Sequence, residues 1–221
     1  MIAILCATVP QSLTADEAVK EALSLFPSRE NVDYFNILKG DKNGNGVKES
    51  FFAIITLANA LKMLPLRINT EDLIFDKTEI GKPYFKNSTV NFSISHSKGR
   101  VSCAVSDSGR VGIDTEWAEI DGEKAKKLAK RYFSADEAAK VESTPSVFKD
   151  LWCEKEAITK FFGSDLAIFL KEEREKNTNP NFPKSRENAK NYSIHRFAWN
   201  KNPVTLCSER ENSTIIFKIQ P

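Results

Sequence analysis

The run Val111-Gly112-Ile113-Asp114-Thr115-Glu116 decides how this chain is read. It has the period-two side-chain pattern of a strand, which puts Asp114 and Glu116 together on the face opposite Val111 and Ile113. Their Cα atoms then lie about 6.6 Å apart at ~3.3 Å rise per residue. Both carboxylates can reach one hard cation, with Mg²⁺ the natural choice where phosphates share the site. A solvated strand end is the alternative reading of the same residues.

Working outward, Val90, Phe92 and Ile94 alternate with Asn91, Ser93 and Ser95, Arg100–Val105 repeats the pattern, and Asp107-Ser108-Gly109 turns the chain into Val111. Three short strands in a row predict an antiparallel meander. Ile2–Val9 is a first strand, and Thr14 with Glu17 forms a capping box that opens an amphipathic helix through Leu25. A second helix is expected from about Lys48 to Leu64, after a Gly/Asn-rich loop from Gly40 to Glu49. Downstream, Glu123–Lys130 has a helical pattern, Ser134 with Glu137 is a second capping box, and Val147–Phe162 is an amphipathic helix. The charged stretch from Lys171 to Lys190, with two prolines, is expected to be a solvated insertion. Strands return around Ser193–Trp199, Val204–Cys207 and Thr214–Ile219. The strand–helix–strands pattern therefore occurs twice, predicting an α+β fold of two similar halves, 1–112 and 113–221.

Composition narrows the function classes. The 221 residues are 41% hydrophobic and 28% charged, an ordinary globular make-up. A net charge of +2 lacks the basic excess of a non-specific nucleic-acid or membrane-surface binder, so neither partner is expected. Cys6, Cys103, Cys153 and Cys207 are scattered without a CxxC, and there are only two histidines; reduced thiols in a cytoplasmic protein are the expectation. No apolar stretch approaches the roughly 20 residues of a membrane span, and the N-terminus lacks the basic n-region of a signal peptide.

Two further clusters could carry chemistry. In Trp152-Cys153-Glu154-Lys155-Glu156-Ala157-Ile158-Thr159-Lys160, Glu156 and Lys160 are i,i+4 neighbours, either a surface ion pair or an acid and a base working together. In Asn91–Ser97, His96 follows a strand among small hydroxyl residues, suited to a phosphate or to a structural role at a strand end. No GxSxG elbow is present for a nucleophilic triad. Asp41-Lys42-Asn43-Gly44-Asn45-Gly46 matches the opening of an EF-hand calcium loop, but position twelve is Phe52, so the bidentate acid is missing and a turn before a helix is the better reading.

In order along the chain, Gly81-Lys82-Pro83, Ser93-Ile94-Ser95-His96-Ser97, Val111 to Glu116, Arg131-Tyr132-Phe133-Ser134 with Glu137, and Trp152 to Lys160 together resemble the 4′-phosphopantetheinyl transferases. The size resembles the longer, monomeric type built of two similar halves. The resemblance implies transfer of the phosphopantetheine arm of coenzyme A to a serine of an apo acyl, peptidyl or polyketide carrier protein, releasing adenosine 3′,5′-bisphosphate. It implies Asp114, Glu116 and Glu156 as Mg²⁺ ligands and Lys160 on the phosphate. Lys82, Ser95 and His96 would hold the nucleotide end. The proton acceptor would be Glu156 or a metal-bound water, so Glu156 and Lys160 are the catalytic candidates. Arg29, Lys39 and Lys48 are candidates for the 3′-phosphate. Gly163-Ser164-Asp165-Leu166 departs from the family's GxGL by lacking the second glycine. A silent binding module of the same fold, for coenzyme A or a carrier protein, is the alternative, and a Mg²⁺-dependent phosphohydrolase is a more distant one.

Overall fold

The strand β1 (Ile2–Thr8) is almost wholly buried, with β5 antiparallel on one side and β9 parallel on the other, so its IAILCAT run needs no polar face. The computed structural model describes residues 1–40, 44–178, 192–209 and 213–220. After β1 the Thr14–Glu17 capping box opens α1 (Ala15–Leu25), as expected. Two helices follow, α2 (Arg29–Gly40) and α3 (Gly44–Leu61), then the short strands β2 (Phe75–Lys77) and β3 (Pro83–Phe85). The strands β4 (Asn91–Ser97) and β5 (Arg100–Ser106) form a hairpin through Lys98 and Gly99, both at positive φ. β6 (Val111–Thr115) is followed by α4 (Gly122–Tyr132), α5 (Ala135–Ser143), α6 (Val147–Phe162) and α7 (Leu166–Thr178). β7 (Tyr192–Trp199), β8 (Asn202–Glu209) and β9 (Ile215–Gln220) complete the described chain.

The strands build sheets ordered β4-β5-β1-β9 and β6-β8-β7, with β2-β3 as a separate pair. The two larger sheets repeat one plan. A hairpin, β4–β5 or β7–β8, lays its second strand antiparallel against the first strand of its half, β1 or β6. A long helix packs on each sheet, α3 on β5 and β1, α6 on β6 and β8. The α+β architecture of two similar halves is thus present as a topology, and β9 returns from the end of the chain to the free side of β1.

Four local expectations need correction. The meander fails at its third strand, because β6 pairs with β8 instead of β5. Its two neighbours in sequence had no way to signal a partner ninety residues away. The second helix spans Gly44–Leu61 instead of Lys48–Leu64, so part of the expected loop is helical. α2 was not anticipated: its polar sequence buries only Asn31 and Phe35. Lys171 to Thr178 continue α7 instead of looping out. The remainder of that stretch lies outside the described residues, as do the first three residues of the calcium-loop match.

Candidate active site

Gly112 positions the site. A Cβ built there would stand 2.1 Å from the Ala157 carbonyl and 2.4 Å from the Phe161 amide, so only glycine lets β6 lie this close to the backbone of α6. Two residues along, Asp114 is buried with 3% of its surface exposed, which removes the solvated strand end as an account of it. The Lys160 ammonium donates to Asp114 Oδ1 at 2.6 Å and lies 3.6 Å from Glu156 Oε2. The i,i+4 pair of α6 is therefore extended onto β6 and is no isolated surface pair. The indole of Trp152 donates to Glu156 Oε1 at 2.9 Å and fixes that carboxylate from one turn away. Glu116 receives the Ser97 hydroxyl at 2.6 Å and the Ala118 amide at 2.7 Å, both on Oε1.

Burial pushes the Glu156 carboxyl up, and the charges of Asp114 and Glu116 add to that, with Lys160 opposing. For Lys160, burial disfavours the charged form, but Asp114 and Glu156 outweigh it and hold the ammonium above its ordinary value. Asp114 and Glu156 lie within electrostatic reach of the Lys160 ammonium, and Glu116 within reach of Glu156. That hard-oxygen set suits Mg²⁺, which takes few protein ligands and completes its shell with phosphate and water. Among the described residues no three acidic, His or Cys side chains close into a cage by themselves. Substrate oxygens would supply the missing ligands.

A cleft of about 260 Å³ opens beside Lys160, lined among others by Gly81, Lys82, Pro83, Ile94 and Ser164. The Ser164 hydroxyl is buried with no hydrogen-bond partner among the described residues. A second cleft of about 230 Å³ shares Gly81, Pro83 and Ile94 and adds Tyr34, Ser50 and His96. The Lys82 ammonium donates to the Lys160 carbonyl at 2.6 Å and the Val111 carbonyl at 3.3 Å, tying the GKP turn to both α6 and β6. Burial, with the charges of Arg110 and Lys160, lowers its pKa to about 8. Gly163 ends α6 at φ +62, so the first glycine of the incomplete GxGL stretch supplies the left-handed cap.

Sequence reasoning missed Glu49. From α3 it bonds His96 Nδ1 at 3.1 Å and accepts the Gly99 amide at 2.8 Å, which orients the imidazole and anchors the hairpin turn. Nothing in the sequence connects residue 49 to residue 96. Ser97 was also missed as a participant, although the period-two Ser93, Ser95 and Ser97 was visible. None of Arg29, Lys39 and Lys48 is among the described residues lining either cleft, and Lys39 pairs with Asp16 at 3.3 Å on the surface.

An α+β protein with acids and a lysine gathered where its two sheets meet is the class that fold and site define. Residues 110–211 match the model of the 4′-phosphopantetheinyl transferase superfamily. The chain is 38% identical over 109 residues to the 4′-phosphopantetheinyl transferase gsp of Aneurinibacillus migulanus, covering 47% of this chain and 44% of that protein. It is 33% identical over 102 residues to the 4′-phosphopantetheinyl transferase HetI of a Nostoc species, covering 42% of this chain and 43% of the relative. The match thus spans less than half the length of these curated relatives.

Proposed function

We propose that this chain is a Mg²⁺-dependent 4′-phosphopantetheinyl transferase that moves the phosphopantetheine arm of coenzyme A onto a serine of an apo carrier protein. The observation that carries the reading is the convergence of Asp114, Glu156 and Lys160 beside the cleft, within the stretch that matches the superfamily. Asp114, Glu116 and Glu156 would hold Mg²⁺, which when bound offsets the charge of the pyrophosphate. Glu156, with its pKa raised, takes the proton from the serine hydroxyl as the serine oxygen bonds to the phosphorus bearing the pantetheine arm. The bond from that phosphorus to the bridging oxygen breaks, and adenosine 3′,5′-bisphosphate leaves. Lys160 would face the phosphate, and Lys82 and His96 border the clefts that would take the nucleotide end.

In this reading residues 1–112 serve the nucleotide and residues 113–221 the metal. The chain works as a monomer in the cytoplasm, a setting consistent with four free, buried thiols. Among the described residues no helix is long and apolar enough to cross a membrane.

Intact-mass spectrometry of several apo carrier proteins, incubated with the chain, coenzyme A and Mg²⁺, tests this directly. A gain of one phosphopantetheine unit, abolished by EDTA, is expected. Glu156→Gln should slow the gain by about a hundredfold or more, the usual loss when a group stabilising the transition state is removed. No gain on any carrier, with coenzyme A still bound, would leave the silent binding module. Free phosphopantetheine with no loaded carrier would indicate the phosphohydrolase.

A further inference from the structure

We propose that Ser95 and Ser97 are positioning residues that reach from β4 to hold Asp114 and Glu116, so that the carboxylates on one sheet are aimed from the other. This deepens the metal reading above and rests on it. β4 and β6 lie against each other but belong to different sheets, so no backbone ladder joins them. The amides of Ile113, Thr115 and Trp117 instead donate to the hydroxyls of Ser93 at 3.0 Å, Ser95 at 3.3 Å and Ser97 at 3.0 Å. The period of two along β4 thus meets the period of two along β6 in three rungs.

A serine hydroxyl has one proton. With a lone pair of each oxygen taken by an amide, the proton of Ser95 goes to Asp114 Oδ1 at 2.7 Å and that of Ser97 to Glu116 Oε1 at 2.6 Å. These are the short distances of hydrogen bonds to charged carboxylates. Lys160 joins Ser95 on Oδ1, and the Ala118 amide joins Ser97 on Oε1. These four bonds converge on one oxygen of each carboxylate, Oδ1 of Asp114 and Oε1 of Glu116. The Ser93 rung has the same amide bond, but the residue preceding Ile113 is Gly112, which carries no carboxylate. Ser95, expected at the nucleotide end, donates its proton to Asp114.

The molecule therefore contains its own control. Mn²⁺ binding, followed by electron paramagnetic resonance with coenzyme A present, is measured for the wild type and for Ser93→Ala, Ser95→Ala and Ser97→Ala, alongside thermal unfolding. All three variants should lower the melting temperature, because each loses one seam bond. Only Ser95→Ala and Ser97→Ala should weaken Mn²⁺ binding, by about tenfold each, as loss of an outer-shell partner does. Ser93→Ala should bind within about twofold of wild type, and Ser95→Thr, which keeps the hydroxyl, should recover most of the affinity. The Mg²⁺ concentration for half-maximal carrier loading should rise in parallel. Equal Mn²⁺ affinity in all four proteins, or equal weakening in all three alanine variants, would overturn the positioning role while leaving the metal reading intact. Absence of Mn²⁺ binding by the wild type would overturn the metal reading and this proposal with it.

Discussion

The two long helices occupy matching places in the repeated plan and do opposite things. α3 buries eleven of its eighteen residues, all apolar except Ser50 and Thr56, and it brings to the site the carboxylate of Glu49 and part of the wall of the second cleft. α6 buries Lys155 and Thr159 among its apolar residues and presents Glu156 and Lys160 to the seam. The approach of helix to sheet also differs. Beside α3 the Cys103 thiol fits 3.4 Å from the Ala53 carbonyl, whereas beside α6 no side chain at all fits at Gly112. Both buried charged side chains among the described residues, Asp114 and Lys155, lie on the α6 side. Repeating a topology therefore duplicated the scaffold, and the chemistry was placed in the copy whose helix can lie against its strand.

The largest effect should come from closing that approach. Gly112→Ala places a methyl within 2.1 Å of the Ala157 carbonyl, a backbone atom that cannot swing aside, so α6 must move. A loss of roughly 2–4 kcal/mol in denaturant unfolding is expected, at the upper end of overpacking costs. A stable Gly112→Ala variant with intact loading would show that the close approach is not what sets the site.

The two halves also differ in how they tie a helix down. In the first, Asn31 is fully buried and bonds the Phe26 and Leu73 carbonyls at 3.3 and 2.8 Å and the Phe75 amide at 2.8 Å. In the second, the Lys155 ammonium donates to Glu137 at 2.8 Å, below the ring of Phe133. Asn31→Leu and Lys155→Met should each cost about 2–3 kcal/mol, since each strands buried polar partners. Only the second cost should depend on pH. Burial raises the Glu137 carboxyl, but the bond and charge of Lys155 and the donors of Ser134 outweigh it, and the net pKa lies below 4.5. Stability from that pair is present above pH 4.5 and is lost as pH falls through the lowered value. The gap between wild type and Lys155→Met should therefore narrow in acid, while the Asn31→Leu gap stays constant. A constant Lys155→Met gap would remove the charged tie as the distinction between the halves.

What the sequence disclosed and what it hid follow from the range of the interactions. Local signals were legible: both capping boxes at Thr14 and Ser134, the amphipathic Val147–Phe162, and the alternation on either side of Asp114. The pairing of Glu156 with Lys160 was legible too, from their i,i+4 spacing. Pairings made at long range were not. β6 finds β8 across about ninety residues, and Glu49 finds His96 across α3 and the hairpin. α2 escaped because its tie is one neutral asparagine in a polar stretch, which has no period to detect. Lys82 was expected at the nucleotide end; the structure lines the first cleft with it, and its two carbonyl acceptors could only be seen once α6 and β6 were side by side.

That lysine gives the smallest and most specific prediction, because its ammonium bonds a backbone carbonyl of each site-bearing element, β6 and α6. Its pKa is lowered from 10.5 to about 8 by burial and by the charges of Arg110 and Lys160. Between those two values the unfolded chain binds more protons at this position than the folded one, so the contribution of Lys82 to stability rises as pH increases through the window. Below pH 8 the buried ammonium opposes folding, partly offset by its two hydrogen bonds. Lys82→Met removes bonds and charge together, so the difference in unfolding free energy between wild type and variant should grow by about 1–2 kcal/mol from pH 8 to pH 10. Urea unfolding at pH 8, 9 and 10 measures it. A difference that is flat or shrinks with pH would mean that Lys82 stays solvated, and that the clasp between the halves is weaker than its short bond to the end of α6 implies.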